Sequence, residues 1–384
     1  MLERKLFSPE HDMFRDSVRR FIADEIKPHH EDWQKAGITP RSLWEKAGEA
    51  GLLCTTVPEA FGGYGADFLY SAIVIEELAR ANTPDIAFYT HSDIATPYLI
   101  DFGTEEQKRT LLPDMVAGRK ICSLGMSEPD AGSDVASIKT SAVRDGDEYV
   151  INGGKVFITN GHNADMFIVA CKTDPAARAK GISMILVEAD RAGFRRGRLL
   201  EKIGLKAQDT AEIFFDDVRV PVSNLVGVEN QGFFHMMKSL PQERLVQAIR
   251  AVTASEAALD MTIDYTVQRK AFGKSVSEFQ AIQFRFATLY SEIAGQRALV
   301  DRCLEAHLAG ELDDFDAAVV KLSSTEVQAK VVDECVTCFG GWGYMWEYPI
   351  ARAYADARAA RLAGGTTDIM KLIIGRRLVA SRSQ

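Results

Sequence analysis

The chain has 384 residues, 46% of them hydrophobic and 26% charged, enough to bury a large core and to predict two or three domains; a disordered or fibrous protein is excluded. With 54 acidic against 45 basic residues the formal net charge is −9, so there is no overall basic surplus to hold a nucleic-acid backbone or an anionic membrane. The longest apolar runs, Met166 to Cys171 and Ile182 to Val187, have the length of buried strands and fall far short of the roughly 18 residues of a membrane helix.

The N-terminal segment Met1-Leu2-Glu3-Arg4-Lys5-Leu6-Phe7 has neither the apolar core of a signal peptide nor the acid-free character of a transit peptide. The expectation is a cytoplasmic protein, or a mature organellar form that has lost its transit peptide. Ser8-Pro9-Glu10 and Thr39-Pro40 each place a hydroxyl cap before a proline at the first helical position, and Thr104 and Gln107 have capping-box spacing. Phe14, Val18, Phe21, Ile22 and Ile26 recur three and four residues apart, the pattern of a helix buried on one side. These signals predict an α-helical N-terminal domain over 1–119 with four to six helices.

Between Ile121 and Val226 the period drops to two and β-branched and aromatic residues become frequent. Strands are predicted at 138–143, 148–151, 156–159, 167–171, 182–188 and 212–215, with turns at Asp145-Gly146, Asn152-Gly153 and Asn160-Gly161. The spacing fits a small antiparallel barrel or sandwich, a central β domain over 120–229. From Gln231 onward long helices return, near 231–271, 278–308, 314–339 and 366–382, with Gly310 and Gly340-Gly341 as stops and Pro241 expected to kink the first. They predict a C-terminal four-helix bundle over 230–384 that also packs against another subunit. The fold class is therefore multidomain α+β.

Six cysteines are scattered along the chain, and Cys335-x-x-Cys338 has no second pair to complete a zinc site; no metal is assigned. Neither G-x-G-x-x-G nor a P-loop occurs, so a nucleotide cofactor would have to be held by other means. The stretch from Met126 to Asp134, with Ser127, Gly132 and Ser133 around a rigid Pro129, suits close approach of backbone to an anion or a flavin edge. The basic run Arg195-Arg196-Gly197-Arg198 reads as a solvated loop, with the phosphate groups of a ligand as the alternative partner.

Four motifs in fixed order give these pieces a common meaning: Met126-Ser127-Glu128-Pro129 with Ala131-Gly132-Ser133, Phe157-Ile158-Thr159-Asn160-Gly161, Arg269-Lys270-Ala271-Phe272-Gly273-Lys274, and Gly340-Gly341-Trp342-Gly343-Tyr344. Over essentially its whole length the chain resembles the acyl-CoA dehydrogenase family, and its last motif, continued to Pro349 and followed by Gly364-Gly365-Thr366, is most similar to the long-chain branch. The resemblance implies FAD as cofactor, an acyl-CoA substrate, an electron-transfer flavoprotein as electron acceptor, and a homotetramer built as a dimer of dimers. It implies that Met126 and Ser127 line the pyrimidine side of the flavin, that Phe157, Ile158 and Thr159 cover its other face near N5, and that Gly132 and Ser133 approach the pyrophosphate and the CoA. Arg269 lies 26 residues after Glu243, on the order of 39 Å along one straight helix, so one chain can hardly bring both to one flavin. The resemblance accordingly implies that Arg269 and Phe272, followed by Phe279 and Gln280, reach the FAD of a neighbouring subunit, with Gly340, Gly341 and Thr366 completing that site. Two positions depart from the family pattern: Thr337 stands where Gln is usual, and Asp368 where Glu or Gln is common.

The family reaction needs one carboxylate base. Many members supply it from a Y-E-G-T motif, which here reads Ala363-Gly364-Gly365-Thr366, so the side chain is missing at Gly364. Alone, Glu243 beside Arg244 reads as an ordinary surface carboxylate. Isovaleryl and long-chain members place their base at this point of the first long helix, and the resemblance assigns the role to Glu243. The Gly364 N–H can still support the thioester oxygen, and Arg244 either orients Glu243 or joins the polar network around the CoA side. Two other readings stay open, a flavin oxidase or monooxygenase on the same scaffold and a non-catalytic acyl-CoA-binding protein.

Overall fold

The computed structural model describes residues 4–382, so the first three residues of the N-terminal segment lie outside it. Among the described residues six α-helices precede the β region: α1 (Pro9–Phe21), α2 (His30–Ala36), α3 (Arg41–Glu49), α4 (Phe68–Arg80), α5 (Thr96–Phe102) and α6 (Glu105–Val116). The start signals behave differently from one another. Thr104 accepts from the Gln107 N–H at 3.2 Å while the Gln107 side chain takes the Thr104 N–H at 3.0 Å, a complete capping box on α6. Thr39 caps nothing; α3 begins one residue later than expected, at Arg41, and the Thr39 carbonyl instead accepts from Asn163 Nδ2 at 3.0 Å. α4 is buried on nearly every face: Ile73, Val74 and Leu78 belong to the core shared with the β domain, while Phe68, Leu69, Ala72 and Ile75 belong to the core of the C-terminal helices. This helix joins the two cores.

The central domain is one eight-stranded sheet: β1 (Cys122–Gly125), β2 (Ser141–Asp145), β3 (Glu148–Thr159), β4 (Met166–Lys172), β5 (Ile182–Glu188), β6 (Phe194–Leu199), β7 (Thr210–Pro221) and β8 (Leu225–Val226). Its order is β6-β7-β3-β2-β4-β5-β8, with β1 beside β4. Most pairings are antiparallel, but β1 runs parallel to Met166–Val169 of β4, and Ser141 of β2 continues that same edge opposite Lys172. β4, apolar except at its end, is buried along its whole length, as its unbroken run required. Two expectations are corrected here. Asn152-Gly153 is no turn: β3 is continuous through it, with a register shift opposite β7 and Gly153 at φ +140° where a Cβ would meet Thr140 Oγ1 at 2.6 Å. Arg195 to Arg198 is no loop but part of β6, where Arg196 bonds the carbonyls of Gly161 and Ala164 and Arg195 lies over the Phe214 ring.

The C-terminal domain has α7 (Gly232–Gln268), α8 (Gln280–Leu308), α9 (Asp314–Phe339) and α11 (Thr367–Ala380), as anticipated, together with α10 (Pro349–Ala360), which the sequence reading left unassigned. Pro241 lies inside α7. Gly310 and Gly340 take positive φ after α8 and α9, the stop that only a missing Cβ makes cheap. Among the described residues, no helix is long and apolar enough to cross a membrane.

Candidate active site

Glu243 faces inward from the early part of α7 and is 5% exposed. The Tyr98 hydroxyl, itself fully buried on α5, donates to Glu243 Oε1 at 3.3 Å. Burial pushes the carboxyl up to about 7, with Tyr98 and the adjacent Arg244 charge holding it back in part. A buried carboxyl near neutrality is a proton acceptor matched to physiological pH.

Arg244, also buried, turns the other way. Its Nε donates to the Gly364 carbonyl at 3.3 Å and its guanidinium pairs with Asp314. Gly364 and Gly365 have φ of +67° and +99°, a path that Glu at 364 would follow only under strain. A Cβ at Gly364 would point at Gln247 Cγ, 3.6 Å away, and Arg244 Cγ, 3.9 Å away. The vacated position thus abuts the turn of α7 that follows Glu243. Lys321 of α9, fully buried, donates to the next carbonyl, Gly365 O, at 2.6 Å, so two cations hold consecutive carbonyls of the loop. Thr366 spends its hydroxyl oxygen on capping α11 through the Ile369 N–H at 3.4 Å. Asp368 is exposed, with Lys371 at 4.0 Å.

On the β domain, the Met126 loop is fixed from below. Lys155, buried under it, bonds the Met126 carbonyl at 3.0 Å and pairs with Glu128 at 2.7 Å, and the Glu128 carboxylate also takes the N–H groups of Lys139 and Thr140. The Ser127 carbonyl accepts from the Val156 N–H at 3.0 Å, which sets this loop beside the end of β3. There β3 skips register between Lys155 and Ile158, and Phe157 sits at φ +62°. The bulge turns the Phe157 ring outward, 69% exposed, while Ile158 stays in the core and Thr159 is half-buried. An aromatic face, a hydroxyl and the loop of Met126 and Ser127 therefore border one open surface, with Gly132 and Ser133 exposed farther along the loop.

The second group of predicted residues lies at the far end of α7. Arg269, Thr337, Gly340 and Gly341 line a cleft of about 520 Å³ together with Tyr265, Cys338 and Trp342. A Cβ on Gly340 or Gly341 would meet open space. Thr337 donates back to the Asp333 carbonyl at 3.2 Å, leaving its oxygen as an acceptor toward the cleft. Phe272, φ +51° and 96% exposed, projects from the hairpin of Lys270–Ala271 and Lys274–Ser275 and meets Phe279 edge-on at 6.2 Å; Gln280 is exposed at the start of α8. Because α7 is helical without interruption from Gly232 to Gln268, Glu243 and this cleft are about 39 Å apart in one chain. One chain therefore does not bring Glu243 and the residues of this cleft together.

Sequence reasoning missed Tyr98, Gln247, Lys321 and the pair Tyr89 and Gln208. A signal existed for Lys321, a lone cation inside the apolar run from Ala317 to Leu322. Tyr98 and Gln208 had none, since only the fold carries α5 to Glu243 and the loop before β7 to Thr159.

The chain matches the models of the acyl-CoA dehydrogenase N-terminal domain over residues 8–119, middle domain over 123–218 and C-terminal domain over 230–379. It is 50% identical over 378 residues to the long-chain specific acyl-CoA dehydrogenase of mitochondria from Sus scrofa, a match covering 98% of this chain and 88% of that one. The crystal structure of an acyl-CoA dehydrogenase from Geobacillus kaustophilus superposes with a TM-score of 0.96 at 49% identity, covering 98% of this chain and all of that one. A Bacillus anthracis acyl-CoA dehydrogenase solved in complex with FAD superposes at 0.92 with 30% identity, covering 98% of this chain and 68% of that one. Three domain models laid end to end and relatives alike over nearly the whole chain leave one assignment: this chain belongs to the acyl-CoA dehydrogenase family.

Proposed function

We propose that the protein carries out FAD-dependent α,β-dehydrogenation of an acyl-CoA thioester, with Glu243 as the base. The observation that carries this reading is the pairing of a buried, near-neutral carboxyl at Glu243 with a side-chain-free Gly364 that packs against Arg244 and Gln247 of the same helix. The residues fit FAD: Phe157 offers a stacking face, Ser127 and Thr159 offer hydroxyls, and Gly340 and Gly341 open a cleft beside Arg269. When bound, FAD supplies the acceptor for the β-hydrogen, which leaves with its electron pair. Glu243 takes the α-proton onto a carboxylate oxygen, so the substrate loses the two hydrogens of the new double bond. Tyr98 holds Oε1 and so fixes the direction in which the carboxylate faces. The Gly364 N–H, on a loop gripped by Arg244 and Lys321, supports the thioester oxygen as the α-carbon loses its proton.

The roughly 39 Å between Glu243 and the Arg269 cleft supports a site completed by a second copy of the chain, in which Arg269, Phe272, Thr337, Gly340 and Gly341 serve the partner's flavin. The shared site needs at least a dimer; the homotetramer, and an electron-transfer flavoprotein to reoxidise the enzyme, are the assembly and acceptor that the family resemblance implies. The test is anaerobic titration of the purified protein with acyl-CoA thioesters of increasing chain length. Bleaching of the oxidised flavin with formation of the trans-2-enoyl-CoA is expected; oxygen consumption without need of another acceptor would favour the oxidase reading, and binding without bleaching would sink the proposal.

A further inference from the structure

The Thr159 hydroxyl is not free to choose its direction. Gln208, buried in the loop before β7, donates from Nε2 to Thr159 Oγ1 at 3.0 Å. The other end of the same amide, Oε1, accepts from the Tyr89 hydroxyl at 3.2 Å. Tyr89 is buried too, and the Arg250 guanidinium lies over its ring, 4.1 Å from the centroid. A cation on the ring face draws electron density from the phenol and makes its O–H the better donor, so it favours Tyr89 as donor and the Gln208 oxygen as acceptor. Arg250 is itself fixed, by the Pro84 carbonyl at 2.8 Å and by Gln247 Oε1 at 3.0 Å, and Gln247 is the side chain that faces Gly364.

We infer that Gln208 is a positioning residue that commits the Thr159 hydroxyl to donating toward the flavin. A hydroxyl has one proton and two lone pairs. With a lone pair taken by Gln208 Nε2, the Thr159 proton points away from the amide, and the remaining side of this half-buried residue is the one open to a ligand. An acceptor on that side, such as the unprotonated ring nitrogen of an oxidised flavin, meets a donor already aimed, with no rotor to freeze on binding. This inference rests on the reading that Thr159 borders the flavin.

Replacing Gln208 by Glu reverses the arrangement. A carboxylate accepts from both Tyr89 and Thr159, so the Thr159 proton turns inward and its lone pairs face the ring nitrogen. The experiment compares Gln208→Glu, Thr159→Ala and the double variant by FAD dissociation constant and by the position of the oxidised-flavin absorption band. Gln208→Glu and Thr159→Ala are each expected to weaken FAD binding by on the order of tenfold and to shift the band, as the loss of one aligned hydrogen bond requires. The double variant is expected to match Thr159→Ala alone, because the amide acts only through that hydroxyl. A Gln208→Glu effect that persists in full without Thr159 would be a charge effect and would overturn the inference. So would normal FAD binding by Gln208→Glu when Thr159→Ala binds weakly. An unaltered Thr159→Ala would instead remove the flavin contact itself, and the inference with it. Should Gln208→Glu fail to fold, Gln208→Met carries the same comparison, with a smaller loss expected because the hydroxyl then rotates freely; a Gln208→Met loss undiminished by Thr159→Ala would count against the role.

Discussion

Glu243 is held near neutrality by burial, and that state has two consequences at the level of the single residue. Below about pH 7 the carboxyl is protonated and cannot accept the α-proton, so kcat/KM for flavin reduction should rise with pH and level off above it. Glu243→Gln should bind acyl-CoA yet bleach the flavin on the order of 10² times more slowly or worse. The same shift bears on stability. A carboxyl whose pKa is raised from 4.5 to about 7 on folding favours the folded state at low pH and loses that advantage as pH rises through about 7. Glu243→Gln should therefore melt higher than the parent at pH 8 and nearly with it at pH 4, a difference on the order of 3 kcal/mol by linkage. Equal melting shifts at both pH values would mean that the carboxyl is not buried in its charged form. The candidacy of Glu243 was legible through the resemblance, because the missing side chain at Gly364 and the carboxyl at Glu243 are both visible in the sequence, but its burial was not, since beside Arg244 it reads as a surface carboxylate. Its partner Tyr98 was not, since nothing local to α5 marks that hydroxyl as one that will face a carboxylate on α7.

At the scale of elements, the loop from Ala363 to Thr366 is shaped by what grips it. Arg244 and Lys321 hold the Gly364 and Gly365 carbonyls, and burial, with the nearby Arg244 charge, draws the Lys321 ammonium down to about 8. Lys321→Met should loosen the loop, raising KM and lowering kcat by on the order of tenfold in kcat/KM, while Lys321→Arg retains part of the rate; steady-state kinetics on both variants checks this. The β3 bulge is the other shaped element. Asn152-Gly153 resembles a hairpin turn by composition, but both flanking segments pair with β7, so the tertiary ladder absorbs the glycine as a bulge. Local turn chemistry lost to long-range pairing. The ends of α7, α8 and α9 were readable to within three residues because their stops are backbone events, positive φ at Gly310 and Gly340 and a hairpin after Gln268. The missing α10 starts at Pro349 directly after an aromatic-rich segment whose own pattern has no helical period.

Across the whole molecule, the domains are tied by a buried charge cluster. Glu76 of α4, fully buried, meets Arg297 of α8 at 2.8 Å and Arg4 and Arg15 at 2.9 Å, and Arg297 also binds Glu256 of α7. Burial works against the Glu76 charge, but Arg297 and Arg4 more than offset it and hold the carboxyl down to about 2. A depressed carboxyl contributes stability above its unfolded pKa and loses it as pH falls toward 2, so acid unfolding should begin with this junction. Glu76→Gln leaves arginines facing a neutral amide and should cost about 3 kcal/mol in denaturant unfolding at neutral pH. None of this could be read from the sequence, where Glu76-Glu77 looks like the polar face of a helix. Domain succession, by contrast, followed from the change of hydrophobic period at Ile121 and again after Val226.

If each flavin site joins Glu243 of one chain to Arg269 of another, two inactive variants should restore one another in a mixed oligomer. Glu243→Gln lacks the carboxyl but keeps the cleft; Arg269→Ala keeps the carboxyl but should release FAD. When the two are unfolded, mixed and refolded with FAD, each mixed pair should hold one site built from the intact Glu243 of one chain and the intact Arg269 of the other. Anaerobic flavin bleaching by acyl-CoA should then reappear in the mixture at about half the sites of each mixed pair, though each variant alone is nearly inert. A mixture that bleaches no faster than the sum of its two parents, with mixed oligomers demonstrated by mass, would contradict the claim, because both residues would then serve the flavin of their own chain.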